Sequence, residues 1–241
     1  MRLVLAGDSV YNGCTTEGAV SRYIVIEGLI GVGKTTLCRI LEREWSARLV
    51  LEPVEHNPFL AEFYRDRSRY AFPTQMFYLA TRFSQQVELR QRELFDELVV
   101  ADYLYAKDRL FAEETLAGTE LELYDRFASL LGETAVAPDF VLFLESSTSA
   151  IMQRIRKRSI ESEQVIEASY LESLRDRYYA MWDRFDAAPV YVLDTSRIDY
   201  ANDPQHQDRV LGMIRGWLEG RPVPGAPTRY RGRGAQQLSL L

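Results

Sequence analysis

Short apolar runs alternate along most of the chain with longer segments of helical periodicity. The apolar runs lie at residues 23–27, 48–51, 98–101, 140–144 and 190–193, and the first of them is rich in β-branched residues. The helical segments lie at about residues 35–42, 74–97, 106–131, 147–159, 168–185 and 204–219. Runs that are apolar throughout are typical of parallel strands covered on both faces. The alternation therefore predicts a three-layer α/β fold, with a parallel β-sheet of about five strands flanked by helices.

The two ends of the chain differ in composition from this patterned middle. Residues 1–21 are small and polar after the first few, and they predict a flexible N-terminal extension. Residues 220–241 are rich in Pro, Gly and Arg and predict a flexible tail. The domain itself is therefore expected at residues 22–219, which is long enough for one α/β domain with a substantial core.

Composition and charge narrow the class of protein. The 241 residues carry a formal net charge of -6, which argues mildly against a nucleic-acid-binding body. The cysteines, Cys14 and Cys38, do not make a disulfide framework. No run approaches the ~18 apolar residues of a membrane span, and the first residues do not fit a secretory leader. These features favour a reducing cytoplasm as the location of the protein.

The run G-L-I-G-V-G-K-T at residues 28–35 fits the phosphate-binding P-loop pattern G-x-x-x-x-G-K-[ST]. It follows the first apolar run and opens the first helical segment, which is the setting that this motif requires. Its glycines let the backbone approach a phosphate, and the helix N-terminus faces the anion. Lys34 adds a cation for the β- and γ-phosphates, and Thr35 offers a hydroxyl to Mg²⁺. The predicted ATP-binding residues of this run are Gly28, Ile30, Gly31, Val32, Gly33, Lys34, Thr35 and Thr36.

Two carboxylates follow predicted strands, at the sheet edge where parallel α/β folds bind ligands. Glu52 is a candidate general base toward a substrate hydroxyl, and a solvated loop glutamate is the alternative. Asp102 is a candidate Mg²⁺ ligand, and a helix N-cap is the alternative. The neighbouring P-loop favours function for both. The predicted metal-binding residues are Thr35, Glu52 and Asp102.

A cluster of cations ends the helical segment after the fourth strand. Arg154, Arg156, Lys157 and Arg158 repel one another unless an anion compensates their charge. A lid over the ATP phosphates would use them, because arginines stabilise a transferring phosphoryl group. Cations that complement a helix C-terminus are the alternative. Arg154 and Arg158 are the lid residues predicted to bind ATP.

Several separate segments carry a resemblance to one enzyme family. They are the P-loop, Glu52-Pro53-Val54, Phe63-Tyr64-Arg65-Asp66 with Phe72-Pro73-Thr74-Gln75, and residues 154–158 followed by Glu163-Gln164 and Tyr170-Leu171. In this order they resemble the deoxynucleoside kinases, a family that includes deoxycytidine, deoxyguanosine and deoxyadenosine kinases. The resemblance covers about residues 22–219. It implies a P-loop kinase fold, a homodimer, and transfer of the ATP γ-phosphate, with Mg²⁺, to the 5′-hydroxyl of a deoxynucleoside in nucleotide salvage.

The resemblance also implies a role for each matched residue. Glu52 is the family's general base, and Lys34 and Arg158 are catalytic cations on the phosphates. The implied nucleoside-binding residues are Glu52, Tyr64, Gln75, Arg82, Asp108, Phe111 and Glu163. Tyr64 and Glu163 bind the 3′-hydroxyl, and Gln75 binds the base edge. Arg82 pairs with Asp108 beside the base, and Phe111 stacks on it. Core aromatics, a surface ion pair and a helix-surface glutamine are the alternatives.

The set Gln75, Arg82 and Asp108 resembles the purine and deoxycytidine branch of the family. Purine deoxynucleosides are therefore the favoured substrates, and deoxycytidine is the alternative. A thymidine-preferring site usually lacks this arginine–aspartate pair.

Two positions depart from the family pattern. Tyr103 stands where the family has an arginine after the third strand, and Ile160 stands where the lid has a second arginine. Arg109, Arg154 and Arg156 are the candidates to supply the missing charge.

Two other functions compete with the leading one. A nucleoside monophosphate kinase, such as a thymidylate kinase, has a similar P-loop and sheet, but Tyr103 removes the arginine expected for its acceptor phosphate. A nucleotide-binding adaptor tethered to the replication clamp is the alternative from another class. The chain end resembles a sliding-clamp-binding peptide through the residues Gln237, Leu238, Ser239, Leu240 and Leu241.

Overall fold

A parallel sheet forms the centre of the computed structural model, which describes residues 22–92, 98–131, 135–160 and 163–232. Its five strands lie in the order β2-β3-β1-β4-β5, and every pair is parallel. The strands are β1 (Arg22–Gly28), β2 (Arg48–Val50), β3 (Leu98–Ala101), β4 (Phe140–Glu145) and β5 (Val190–Asp194). The strand positions and the α/β class predicted from the sequence are confirmed.

Helices surround this sheet. They are α1 (Lys34–Trp45), α2 (Leu60–Arg65), α3 (Arg67–Arg92), α4 (Lys107–Thr115), α5 (Gly118–Leu131), α6 (Thr148–Arg158), α7 (Ala168–Trp182) and α8 (Pro204–Leu218). The central strands β1 and β4 are buried over consecutive residues, which means that both of their faces are covered. On one face of β4, the Phe143 ring meets Tyr178 and Trp182 of α7 at centroid distances of 5.1 and 5.5 Å.

The register brings the carboxyl ends of the strands to one edge. Val25 of β1 pairs with Ala101 of β3 on one side and with Val141 of β4 on the other. The P-loop, the residues after β2 and the residues after β3 therefore leave the sheet side by side. This edge holds the candidate site.

Two helix predictions differ from the structure. Residues 106–131, expected to form one helix, form α4 and α5, because Gly118 turns the chain with a φ of 54°. The helix expected from residue 74 begins at Arg67, where Asp66 Oδ1 accepts a hydrogen bond from the Arg69 backbone N at 3.3 Å. Pro73 lies inside α3, in its second turn, where its missing N–H group removes one i→i−4 hydrogen bond of the helix.

Part of the predicted tail packs against the domain. Tyr191 and Arg229 form an antiparallel bridge, and the Tyr230 backbone N donates to the Val190 carbonyl at 2.7 Å. Tyr230 is buried, and its hydroxyl donates to Asp183 at 2.8 Å. Arg229 and Tyr230 thus lie beside β5 and cover part of its edge. Composition alone did not reveal this anchoring aromatic.

Two predictions fall on residues outside the described part of the chain. They are the N-terminal extension at residues 1–21 and the clamp-binding peptide at residues 237–241, and both stay predictions. Among the described residues, no helix has both the length and the apolar character needed to cross a membrane.

Candidate active site

The P-loop between β1 and α1 takes backbone angles that favour glycine. Gly28 has a φ of 146° and Gly33 a φ of 113°. A Cβ atom at Gly28 would lie 2.5 Å from the Leu144 carbonyl oxygen, so the loop also needs glycine to approach β4. Because α1 begins at Lys34, its unpaired N-terminal N–H groups open into the loop. The backbone is therefore built to receive an anion.

The Lys34 ammonium folds back on its own loop. Its Nζ donates to the carbonyl oxygens of Gly28 at 2.8 Å and Leu29 at 3.1 Å. Burial lowers the pKa of Lys34 and the Lys107 cation lowers it further, while neighbouring carboxylates oppose the shift. A phosphate would offer this cation a charged acceptor in place of two neutral carbonyls.

Asp102 joins the P-loop to the end of β2. Its Oδ2 accepts from the Thr35 hydroxyl at 2.7 Å, and its Oδ1 accepts from the Glu52 backbone N at 2.7 Å. Burial raises the pKa of Asp102, and these two hydrogen bonds only partly oppose the rise. The Thr35 hydroxyl and the Asp102 carboxylate offer hard oxygen ligands side by side, as a Mg²⁺ site requires. Glu52 adds a backbone N–H group here, and its carboxylate faces other partners.

The Glu52 carboxylate belongs to a buried array of alternating charges. Arg82 Nε donates to Glu52 Oε1 at 3.1 Å, and the same guanidinium pairs with Asp108. Asp108 also accepts from the Tyr124 hydroxyl at 2.7 Å. Arg82 is 2 % exposed and Asp108 is 3 % exposed, so solvent screens their attraction little. The alternative of a surface ion pair is therefore excluded.

Lys107 completes this array, and sequence reasoning missed it. Its Nζ lies 3.1 Å from Glu52 Oε2 and 3.6 Å from Glu27 Oε1. Lys107 is 2 % exposed although it is the first residue of α4. Its signal in the sequence is a lysine four residues after Tyr103, the position where the family arginine is absent.

Burial and charge act in opposite directions on the Glu52 carboxyl. Burial raises its pKa, whereas Lys107, Arg82 and, more weakly, Lys34 lower it. The cations prevail, and the pKa falls from 4.5 to about 2. Glu52 is therefore ionised at neutral pH. It can accept the proton of a hydroxyl group whose oxygen is forming a new bond.

Gln75 presents an unused acceptor inside the same region. The side chain is 2 % exposed, so it is not a helix-surface residue. Its Nε2 donates to the Thr115 hydroxyl at 3.1 Å, and Thr115 donates in turn to the Phe111 carbonyl at 2.7 Å. Gln75 Oε1 is buried with no hydrogen-bond partner among the described residues. Since such an atom costs stability when unpaired, it is available to a donor from a ligand or from an ordered water molecule.

The other residues predicted to contact the nucleoside are Tyr64, Phe111 and Glu163. Tyr64 is half-buried. Burial is the main cause that raises the pKa of its hydroxyl, and neighbouring groups, Glu163 among them, raise it further. Phe111 is half-buried, with its ring edge-on to Tyr178 at 6.4 Å. The structure thus brings Tyr64 and Glu163 near each other, and it places Phe111 on the helix that carries Asp108.

The lid cations face both sides of the site. Arg158, at the end of α6, pairs with Glu163. Arg154 donates to the Val32 carbonyl at 3.0 Å and to the Thr195 carbonyl at 3.2 Å, so it braces the P-loop. This supports the lid interpretation for Arg154 and Arg158 over a purely helix-capping one.

A cavity of about 540 Å³ lies between the P-loop, the end of α6 and the loop at residues 195–202. This loop follows β5, and sequence reasoning did not single it out. Its Tyr200 hydroxyl donates to the Gly33 carbonyl at 3.1 Å. Because the strand end is the general ligand position of the fold, residues 195–202 could have been identified from topology.

The positions that depart from the family pattern are not compensated as expected. Tyr103 is fully buried. Arg109 forms ion pairs with Glu113 and Asp125 on the surface, where its side chain is 51 % exposed, and Arg156 is exposed. Of the expected substitutes, only Arg154 lies at the site.

Known proteins resemble this chain over nearly the whole described domain. A family model described as deoxynucleoside kinase matches residues 24–219. A deoxyguanosine kinase of Bacillus subtilis is 37% identical over 198 residues, which is 80% of this chain and 96% of that protein. A deoxyadenosine/deoxycytidine kinase of the same organism is 28% identical over 79% of this chain and 90% of that protein. The solved deoxyadenosine kinase of M. mycoides with bound dATP has a TM-score of 0.69 at 24% identity, covering 80% of this chain and 99% of that one.

The depressed pKa of Glu52 predicts a pH-dependent contribution to stability. Its folded value of about 2 lies below the ordinary 4.5, so the stabilisation is complete above about pH 4.5 and is lost as the pH falls toward 2. The Glu52→Gln variant lacks this stabilisation at every pH. The free energy of unfolding of the wild type should exceed that of the variant by on the order of 3 kcal/mol at about pH 6, and the gap should narrow toward pH 3.

Urea unfolding of both proteins across this range measures the gap. Glu122→Gln, at an exposed glutamate of α5, is the matched control, and its difference from the wild type should stay small and constant. A gap for Glu52→Gln that is equally large at both ends of the range would contradict the assigned charge state.

Proposed function

The chain belongs to the deoxynucleoside kinase family, and from that premise we propose that it phosphorylates purine deoxynucleosides with Glu52 as the general base. Membership of the family makes it an enzyme that phosphorylates deoxynucleosides, with ATP as phosphate donor. The observation that carries the proposal is the ionised Glu52 carboxylate, held by Arg82 and Lys107 at the end of β2 beside the P-loop.

The proposed step is a direct transfer between two oxygens. The 5′-oxygen of the deoxynucleoside forms a bond to the γ-phosphorus, and its proton passes to Glu52. The bond between the γ-phosphorus and the bridging oxygen breaks, and ADP keeps that electron pair. Lys34, the loop N–H groups and Arg158 neutralise the charge on the transferring group, and positioning supplies much of the rate.

The proposal includes Mg²⁺ with the nucleotide. The Thr35 hydroxyl and the Asp102 carboxylate fit this ion, because both are oxygen donors, and burial already raises the pKa of Asp102 in a way that a cation would reverse. When bound there, the ion would neutralise part of the negative charge of the phosphates. When the substrates bind, Arg158 and Glu163 would separate. Arg158 would then bind the ATP phosphates, and Glu163 would bind the sugar 3′-hydroxyl.

The proposed base preference rests on Gln75 and on the Arg82–Asp108 pair. Its unpaired Oε1 supports recognition of a base that offers an N–H donor, and Arg82 with Asp108 supports a polar base edge. The relative at 37% identity is named a deoxyguanosine kinase, which favours a purine. Deoxycytidine is the second candidate, because a relative at 28% identity is named a deoxyadenosine/deoxycytidine kinase.

A homodimer through α5 is part of the proposal. Leu123, Phe127 and Leu130 recur at helical spacing on its outer face and are 42%, 42% and 82% exposed. An apolar stripe of this kind on a helix is typical of a surface that packs against another helix. A second copy related by a twofold axis would bury both stripes against each other.

Steady-state assays with ATP and each deoxynucleoside test the substrate assignment. Deoxyguanosine or deoxyadenosine should give the highest kcat/KM, with thymidine at least about 100-fold lower. The reason is the Arg82–Asp108 pair, which thymidine-preferring sites of the family usually lack. The highest value for thymidine would contradict the base-binding assignment. Activity with deoxynucleoside monophosphates alone would contradict the acceptor class.

Light scattering on a size-exclusion column tests the dimer. The double variant Phe127→Glu/Leu130→Glu should elute as a monomer at concentrations where the wild type is a dimer, because charged side chains would be buried at the interface. Glu122→Ala on another face of α5 is the control and should stay dimeric. A wild-type monomer, or an unchanged mass for the double variant, would exclude this surface.

A further inference from the structure

We propose that Lys107 is the acceptor-side catalytic cation of this kinase, its ammonium taking the place that an arginine at position 103 would fill. The inference rests on the proposed role of Glu52 as the general base. Charge lost at Tyr103 is recovered four residues later, on the first residue of α4. The ammonium is proposed to hold Glu52 and to donate to the 5′-oxygen as that oxygen attacks.

The position of Lys107 Nζ supports a role at the reacting atoms. It lies 3.1 Å from Glu52 Oε2 and 3.6 Å from Glu27 Oε1, and Glu27 directly precedes the P-loop. The ammonium therefore stands between the proposed base and the phosphate-binding loop, where the acceptor oxygen and the γ-phosphate must meet. Lys34 approaches the same region from the donor side.

Glu27 does not by itself explain why Lys107 is buried here. Its carboxylate accepts from the Gly28 backbone N at 2.9 Å, the Leu104 backbone N at 2.8 Å and the Tyr178 hydroxyl at 2.9 Å. Three donors already satisfy much of its capacity. The shorter ion pair of Lys107 is with Glu52, whose other oxygen is bound by Arg82.

The charge balance of the array gives the cation a further purpose. Glu27, Glu52 and Asp108 are carboxylates within it, against the two cations Arg82 and Lys107. The carboxylates already exceed the cations by one, and without Lys107 the excess of buried negative charge that a polyanionic nucleotide approaches would be two. An ammonium next to Glu52 lowers that repulsion and stabilises negative charge that develops on the transferring group.

Residue choice and packing fit a compact cation. The sequence holds lysine at positions 34, 107 and 157 only, with arginine supplying the rest of its 29 basic residues. The Tyr103 ring lies 5.9 Å and the Phe111 ring 5.7 Å from Lys107 Nζ. Between these rings an ammonium acts as a point charge, whereas a guanidinium would bring a broader planar fork.

Kinetics of Lys107→Met and Lys107→Arg test the proposal. Lys107→Met keeps the length of the side chain and removes its charge, and it should lower kcat by about 100-fold while the KM for ATP changes by less than about 3-fold. The acid limb of its kcat/KM profile should move to higher pH, because Glu52 loses one of the two cations that lower its pKa. Lys107→Arg should retain at least about a tenth of the wild-type kcat.

A charge-relocation variant separates catalysis from folding. Tyr103→Arg/Lys107→Ala should exceed Lys107→Ala in kcat by about 10-fold or more, because it returns a cation to the position that the family uses. Arg22→Met is the matched control: it removes a cation paired with Asp139 at the opposite edge of the sheet and should leave kcat unchanged. Thermal unfolding of every variant shows that the compared proteins are folded.

The Lys107 side chain can also be observed directly. In protein labelled with ¹³C at lysine Cε, the signal absent from Lys107→Arg belongs to Lys107, and it should move when the deoxynucleoside is added without ATP. Free lysine labelled in the same way and added to the sample is the control for changes in solution conditions. This measurement stays informative if Lys107→Met fails to fold.

Two results would overturn the proposal. One is a folded Lys107→Met with kcat within about 3-fold of the wild type and an unmoved pH profile. The other is a Lys107 signal whose position does not change when the deoxynucleoside is added to saturation. A wild-type enzyme without deoxynucleoside kinase activity would instead refute the proposed function, so the two failures are distinguishable.

Discussion

Mutual compensation of buried charges is the interaction on which the rest of this site depends. Glu27, Glu52, Arg82, Lys107 and Asp108 are brought together beneath the carboxyl edge of the sheet. Removing one partner would leave an uncompensated charge in a poorly solvated place, which typically costs about 3–5 kcal/mol. The array therefore ties β1, the loop after β2, α3 and α4 into one geometry. It also fixes the charge of the proposed base before any ligand arrives.

Charge compensation also applies to the two cations that must change partners when substrates bind. Lys34 is held by neutral carbonyls of its own loop, and Arg158 is held by Glu163 across the lid. Both cations therefore have partners in the free enzyme that a nucleotide would replace with phosphates. The members of the buried array already pair with one another, so their charges are fixed before the nucleotide binds. A fixed set of buried charges, together with two cations that can change partners, agrees with the catalysis of phosphoryl transfer by positioning and charge stabilisation.

Sequence reasoning succeeded where a local pattern carries a physical requirement. The strands were predictable because parallel strands buried on both faces are apolar throughout, and the P-loop because its glycines, Lys34 and Thr35 each answer a need of phosphate binding. The pairing of Arg82 with Asp108 was predicted only from the family resemblance, and the burial of this pair is known only from the structure. Lys107 and the loop at residues 195–202 were missed because their roles depend on which elements pack together, so their positions in the sequence become informative only once the topology is considered. Tyr230 was missed for the same reason, since a single aromatic anchors an otherwise tail-like segment.

The central claim is that an ionised Glu52, held by two cations, accepts the proton of the acceptor hydroxyl. The rate of a single turnover of Glu52→Gln with ATP and a purine deoxynucleoside tests it most directly. The account predicts a chemical step slower by about 10³-fold in a folded variant whose dissociation constant for ATP stays within about 2-fold of the wild type. A step within about 10-fold of the wild-type rate would show that the proton leaves by another route.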